Sequence, residues 1–273
     1  MINLLKADLY RIVRGLGVYL AVLLAVMTVL PYVTLGQAGS TGGLIFVEVS
    51  DGSEKQEEAP SPAEIAESDP HALVRDIIGQ NRGLNFPLVF LVYVVLVADY
   101  ANHTMKNTLS SAVSKRRYYL HKLLLSWGLT AALLFLNSLV VYVLNRLMNG
   151  PDYTEPIGRL LKATALQLPV MLSMTSLLVL IAVAVRKASL YNAIAIGFPL
   201  LFQMLVLLLA RRADDFPRFV QVFLDEYTWE SMLPRLATLP ARDDCLRCFG
   251  VALSEIALTA LPGYWIFRKA ELP

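Results

Sequence analysis

Charged residues are scarce in this chain of 273 residues: Asp, Glu, Lys and Arg make up 17% of it, and hydrophobic residues make up 56%. A soluble globular protein carries about 25% charged residues. The low charge content and the mean hydropathy of +0.55 therefore argue against a water-exposed globular surface. They indicate a protein that exposes apolar side chains to lipid and satisfies its backbone polar groups within helices.

Residue patterns that carry enzymatic chemistry are also lacking. The sequence contains no G-x-x-x-x-G-K-[ST] phosphate loop, no H-E-x-x-H and no G-x-S-x-G. Its three histidines, His71, His103 and His121, are too scattered for a metal site. The sequence therefore predicts that this chain is not an enzyme, holds no metal or other cofactor and does not itself bind ATP. An intramembrane hydrolase or transferase is the less favoured alternative.

What the chain does contain is six apolar stretches, at residues 15–35, 84–101, 119–145, 163–185, 188–210 and 249–267. Most reach the ~20 residues that a helix needs to cross the hydrocarbon core, and the second is the weakest. The sequence therefore predicts an all-α membrane protein with six transmembrane helices in a single domain. A cleavable signal peptide is the alternative for the first stretch, but its length and the five stretches that follow favour a retained helix.

The charges of the loops predict how these helices are oriented. One side of the membrane gathers Lys6, Arg11, Arg14, Lys106, Lys115, Arg116, Arg117, Lys122, Arg186, Lys187, Arg268 and Lys269. The acids on that side are Asp8, Asp99 and Glu271, whereas the segments on the other side are acidic on balance. Because Lys and Arg accumulate in cytoplasmic loops, both termini are predicted to be cytoplasmic. The basic pI thus reflects topology and does not indicate nucleic acid binding.

Residues 1–14 are predicted to form an amphipathic helix at the membrane interface. Ile2, Leu5, Leu9, Ile12 and Val13 share one helical face, and Asn3, Arg11 and Arg14 lie opposite. Such a helix lies along the membrane, with its apolar face among acyl chains and its cations among lipid headgroups. The alternative is an irregular extension of the first transmembrane helix.

The cytoplasmic segment 102–118 also has an apolar stripe. Met105, Leu109, Ala112 and Val113 share one helical face, and the cations of the segment are Lys106, Lys115, Arg116 and Arg117. A short apolar-faced helix between two transmembrane helices is suited to insert into a groove of a soluble partner. Anchoring of the third transmembrane helix at the headgroups explains the cations but not the stripe.

Two longer segments are predicted on the outer side. Residues 36–82 are rich in Glu, and residues 44–49 within them fit a short strand. Residues 211–248 contain two semi-apolar pieces, 216–224 and 227–239, that fit short helices. The acidic segment either attracts a cationic ligand or, as the favoured alternative, serves only solubility and topology.

Polar residues inside the apolar stretches are candidates for a transport pathway. Glu255 is a carboxylate within the sixth stretch, where a charge is costly and a functional or paired role is expected. Further candidates are Asn137 in the third stretch and Thr164, Gln167 and Thr175 on one face of the fourth. Hydrogen bonding between helices is the favoured alternative for these neutral side chains. Asp99, at the end of the second stretch, is interpreted as a helix cap.

The two cysteines, Cys245 and Cys248, form a C-x-x-C at the outer edge of the sixth stretch. In a soluble protein this spacing beside a βαβ unit suggests redox chemistry, but no such unit is evident here. A local disulfide and two unremarkable small apolar residues are the main alternatives. A redox or metal role is the third.

At residues 102–122 the sequence resembles the permease subunits of bacterial ABC-2-type ABC transporters. The resemblance combines the amphipathic N-terminal helix, the long first outer loop, the Lys106-to-Arg117 element and the end of the chain soon after the sixth stretch. Among such permeases, the six-span form is similar to those that export lantibiotics, bacitracin-like peptides or other amphipathic compounds. The acidic first outer loop and the C-x-x-C depart from this pattern.

The resemblance implies a subunit of a transporter in the bacterial cytoplasmic membrane. Two copies of an ABC ATPase would supply ATP and Mg²⁺ binding, and a second identical or homologous permease would complete the assembly. The segment 102–118 would be the coupling helix that contacts the ATPase. A membrane sensor or anchor with a ligand-binding outer loop is the alternative function.

Overall fold

The computed structural model describes residues 2–37, 80–102, 104–105, 109, 113–149, 156–210 and 217–269. These residues contain helices and no strand. Most of the predicted outer loop 36–82, with its strand at 44–49, lies outside them. Lys106 and Ala112 of the predicted coupling segment also lie outside them.

The described residues fold mainly into helices. They are α1 (Ile2–Arg14), α2 (Leu16–Gln37), α3 (Asn85–Ala101), α4 (Lys115–Asn149), α5 (Ile157–Val185), α6 (Ala188–Ala210), α7 (Arg218–Glu226), α8 (Trp229–Ala237) and α9 (Arg242–Lys269). A 3-10 turn at Gln80–Leu84 leads into α3, which has a π-helical segment at Tyr93–Val97.

Four of these helices, α4, α5, α6 and α9, are long and apolar enough to cross a membrane. A fifth candidate is the pair α1 and α2, which is bent by 61° at its junction. The shorter helix α3 coincides with the weakest of the predicted stretches. The predicted class, an all-α protein with several membrane-spanning helices, is therefore confirmed, with four or five candidate spans.

Helix α5 is the centre of the bundle. Helices α3, α4, α6, α8 and α9 all pack against it, and its Met171, Val179 and Val183 are buried. The outward faces of α6 and α9 expose large apolar side chains, among them Leu201, Leu258 and Leu261. Apolar residues outside and hydrogen-bonded polar residues inside are the arrangement that a lipid environment favours.

Two glycines permit close helix contacts. A Cβ atom on Gly17 of α2 would overlap Val94 in the π-helical segment of α3. A Cβ atom on Gly263 of α9 would lie 2.6 Å from the hydroxyl of Tyr119 on α4. Because glycine lacks this atom, the backbones can approach more closely than other residues allow.

The connection between α5 and α6 is a tight turn. Arg186 ends α5 in the left-handed region, with φ of 56°, and its N–H donates to the carbonyl of Ala182. Helix α6 begins at Ala188. A turn this short makes the two helices antiparallel neighbours.

Candidate functional site

A group of charged side chains is buried where α1, α3 and α4 meet. Asp8 is 6% exposed, Asp99 is 3% exposed and Lys122 is 2% exposed. With Arg11 and His121 they form what we call the charge cluster. Its members come from α1 (Asp8, Arg11), the end of α3 (Asp99) and the start of α4 (His121, Lys122).

Lys122 bridges the two carboxylates of the charge cluster. Its Nζ lies 2.8 Å from Oδ2 of Asp8 and 2.7 Å from Oδ2 of Asp99. Arg11 pairs with Asp99 and lies 3.4 Å from Asp8, and Nε2 of His121 is 2.9 Å from Asp8. The guanidinium and the ammonium thus balance the two carboxylates, which is what buried charges require.

Neutral donors complete the surroundings of Asp99. The hydroxyl of Tyr118 donates to its Oδ2 at 2.6 Å, and that of Thr104 donates to its Oδ1 at 3.0 Å. Burial lowers the pKa of Arg11, but the hydrogen bond and the charge of Asp99 outweigh it and raise that pKa above its ordinary value. The guanidinium therefore stays charged.

Aromatic contacts connect the same region to α9. The rings of Tyr118 and Phe267 stack with centroids 5.7 Å apart. The hydroxyl of Tyr119 donates to the carbonyl of Ala260 at 2.8 Å. Four helices, α1, α3, α4 and α9, are therefore joined at one end of the molecule by polar bonds and ring contacts.

The residues predicted to couple to an ATPase divide into two groups. Met105 is 3% exposed, and Leu109 and Val113 are partly buried against the core. Their apolar stripe thus packs on the transmembrane helices. Arg116 and Arg117 are exposed.

Three cations of the predicted coupling segment belong to a transmembrane helix. Helix α4 begins at Lys115, so Lys115, Arg116 and Arg117 form its first turn, whereas the sequence predicted the third span to begin at residue 119. The helix continues into the polar region because its backbone bonding does not depend on the lipid boundary.

Two of the predicted interfacial residues of α1, Leu9 and Arg14, lie on its outward side. Leu9 is 39% exposed, and Arg14 is exposed with its guanidinium 4.6 Å from the Tyr10 ring centroid. Arg11 turns inward to the charge cluster. The side chain of Leu5 lies outside the described part of the chain.

Two predicted pathway residues, Asn137 and Gln167, belong to a buried chain of amides. Nε2 of Gln167 donates to the carbonyl of Leu233 at 2.8 Å, and its Oε1 accepts from Asn81 at 2.6 Å. Asn81 in turn accepts from Nδ2 of Asn137 at 2.9 Å. Because the Leu233 carbonyl can only accept a hydrogen bond, it fixes which end of each side-chain amide donates and which accepts. These amides bond α4, α5, α8 and the Gln80–Leu84 turn to one another.

Thr164 and Thr175 bond to α4. The Thr164 hydroxyl is 2.8 Å from Ser138 Oγ, and that of Thr175 is 2.8 Å from Thr130 Oγ1. Both threonines are 0% exposed. Their geometry fits the helix-packing alternative better than a pathway lining.

Glu255 lies apart from these groups, on α9. Its Oε2 accepts from the Ser173 hydroxyl at 2.7 Å and from Trp229 Nε1 at 2.8 Å. Among the described residues, none forms an ion pair with it. Glu255 is thus a partly exposed carboxylate that is held by neutral donors only.

The two cysteines are free thiols in this structure, with Cys245 half-buried and Cys248 buried. Both belong to the first turns of α9. Of the alternatives from the sequence, the geometry favours two small packed side chains over a disulfide.

Sequence reasoning counted Asp8 and Lys122 among the loop charges, considered His121 only as a metal ligand, and missed the charge cluster. Two signals pointed to it. Asp8 is one turn before Ile12 at the edge of the apolar face of α1, and Asp99 ends an apolar stretch. Carboxylates in such positions need a cation, and the nearest cations in the topology are those at the start of the third stretch.

A comparison with protein-family models finds no match for this chain, and a comparison with curated proteins finds none either. Within the described residues, no group of three or more His, Cys, Asp or Glu side chains is arranged to hold a metal ion.

Proposed function

We propose that this chain is the permease subunit of an ABC-2-type transporter in a bacterial cytoplasmic membrane. It crosses the membrane six times with both termini inside, and it exports an amphipathic compound or peptide. A second permease and two ATPase subunits complete the assembly, and ATP is hydrolysed in the ATPase subunits. The observation that carries this proposal is the charge cluster, because it joins α1 to the helix ends that flank the segment 102–118.

The charge cluster supports transmission of force from a partner to the transmembrane helices. Lys122 bonds to carboxylates on α1 and α3 at once, while Tyr118 bonds to Asp99 and stacks on Phe267 of α9. A displacement at the start of α4 therefore moves four helices together. A partner that binds this end more tightly in one state than in another shifts the bundle between those states.

The exposed cations at the start of α4 provide the contact in this proposal. Arg116 and Arg117 face outward, whereas Met105, Leu109 and Val113 hold the preceding segment against the bundle. Guanidinium groups bind carboxylates on a partner surface in paired hydrogen bonds. An acidic groove on the ATPase is the complementary surface.

The test is to purify the tagged chain from its native membrane in mild detergent and identify co-purifying proteins by mass spectrometry. A stoichiometric ATPase with a G-x-x-x-x-G-K-[ST] motif is expected. The variant Arg116→Glu with Arg117→Glu should lose it by charge repulsion. The control, Arg146→Glu with Lys162→Glu, reverses two exposed cations near the other end of the bundle and should retain it.

Two outcomes count against the proposal. If no ATPase accompanies the intact chain, the transporter assignment is wrong and the sensor alternative gains support. If both double variants keep the ATPase, the chain is a permease but the contact lies elsewhere.

A further inference from the structure

Glu255 lies within the sixth apolar stretch, 249–267, nearer to its outer end. It stands halfway along α9, which runs from Arg242 to Lys269. At a rise of 1.5 Å per residue, it is about 9 Å from the outer end of the apolar stretch at residue 249. A carboxylate within a membrane-spanning stretch has a high free-energy cost unless it binds a ligand or pairs with a cation.

Both side-chain hydrogen bonds to the Glu255 carboxylate are made to the same oxygen atom. Ser173 and Trp229 both contact Oε2, and no described residue donates to Oε1. Ser173 also lies 2.8 Å from the carbonyl of Val170, so its single hydroxyl hydrogen serves one acceptor at a time. The carboxylate is therefore positioned by the protein but incompletely satisfied.

A row of aromatic rings leads away from Glu255, starting at Trp229. The Trp229 ring is 5.9 Å from that of Phe202 on α6, and Phe202 stacks on Phe198 at 6.0 Å. Aromatic faces attract cations and pack well against apolar chains. A carboxylate beside a row of rings matches a molecule that has a cationic head and an apolar body.

We infer that Oε1 of Glu255 and the Trp229 and Phe202 rings form a binding site for the ammonium or guanidinium head of an amphipathic ligand. The head donates to Oε1, while Ser173 and Trp229 hold Oε2 in place. That this ligand is the transported substrate rests on the proposed function. The binding itself requires only this chain.

The experiment uses the purified chain in phosphatidylcholine nanodiscs, without any ATPase. Trp127→Phe and Trp265→Phe leave Trp229 as the only tryptophan, and its emission reports on the site. Octylammonium is titrated against octanol, which has the same apolar chain without the charge. Octylammonium should give a saturable change in emission, and octanol only the linear change of partitioning into the bilayer.

Two substitutions test whether binding depends on the charge of Glu255 or only on the shape of the site. Glu255→Gln keeps size and hydrogen bonding and should weaken octylammonium binding by about tenfold or more, since the charge supplies the attraction. Thr259→Val, one turn along α9 and bonded only within its own helix, should leave binding unchanged. Circular dichroism and size-exclusion chromatography establish that each variant is folded.

The inference is overturned if octylammonium and octanol give identical titration curves of tryptophan emission while Glu255 is present. This comparison needs no Glu255 variant. Unchanged binding in folded Glu255→Gln also overturns it. Absence of binding alongside a co-purifying ATPase contradicts this inference alone. Binding without any ATPase contradicts the transporter proposal alone.

Discussion

At the residue scale, Lys122 is a buried cation whose charge is compensated by two carboxylates. Its side chain is 2% exposed, and its ammonium group lies within 2.8 Å of two carboxylates. Two buried carboxylates repel each other strongly unless a cation stands between them. Arg11 alone does not replace this bridge, because its Nη2 lies 3.4 Å from Asp8 and forms no hydrogen bond to it.

We predict that Lys122→Met destabilises the fold by about 3–5 kcal/mol, because it leaves a buried charge uncompensated while preserving side-chain volume. Unfolding by sodium dodecyl sulfate, followed by circular dichroism, measures the change. Lys162→Met, at an exposed position of α5, should stay within about 0.5 kcal/mol of the original protein. Equal stability of the two variants would show that the charge cluster is dispensable.

At the element scale, the short helix α8 is held by the transmembrane helices. Met232, Leu233 and Leu236 are 0% exposed. Gln167 on α5 donates to the Leu233 carbonyl, and Trp229 donates to Glu255 on α9. By contrast, α7 exposes Phe219 and Phe223. The semi-apolar pieces that the sequence predicted as short helices thus differ in role: α8 belongs to the core and α7 to the surface.

The amide bond from Gln167 should determine how firmly α8 is seated. In Gln167→Met, we expect hydrogen–deuterium exchange in the peptide covering Trp229–Ala237 to become faster, because a buried carbonyl loses its donor and local opening becomes easier. Thr175→Val removes a buried hydroxyl of the same helix that bonds to Thr130 on α4 instead. Thr175→Val should therefore leave the exchange rate of α8 unchanged. If both variants raise that rate equally, the cause is a general loosening of α5 and not the loss of the Gln167 hydrogen bond.

At the scale of the whole molecule, the sequence predicted the helices better than the site. Each predicted apolar stretch coincides with a helix, but the helices α4 and α9 begin at Lys115 and Arg242, before the predicted 119 and 249. Hydropathy marks the part of a helix that lies in lipid, whereas the helix itself continues into water. The sequence therefore placed the starts of α4 and α9 too late, because charged residues form the first turn of each helix.

The charge cluster depends on tertiary structure that periodicity does not contain. Asp8 reaches Lys122 only because α1 turns by 61° relative to α2 and lies against α3 and α4. The polar face of α5 was recognised, but its partners come from α4, α8 and the Gln80–Leu84 turn. A sequence shows which side chains need partners, and the packing of helices decides which partners they obtain.

The topology follows from the same cations and can be tested on intact cells. The Lys115 ammonium lies 3.4 Å from the Arg268 carbonyl, so the basic ends of α4 and α9 are on one side of the bundle, which the positive-inside rule assigns to the cytoplasm. In a Cys245→Ala and Cys248→Ala background, Ala241→Cys should react with a membrane-impermeant maleimide from outside. Ser114→Cys, also exposed, should react only after permeabilisation. The reverse pattern would invert the orientation, and reaction of both cysteines from outside would contradict the six-span topology.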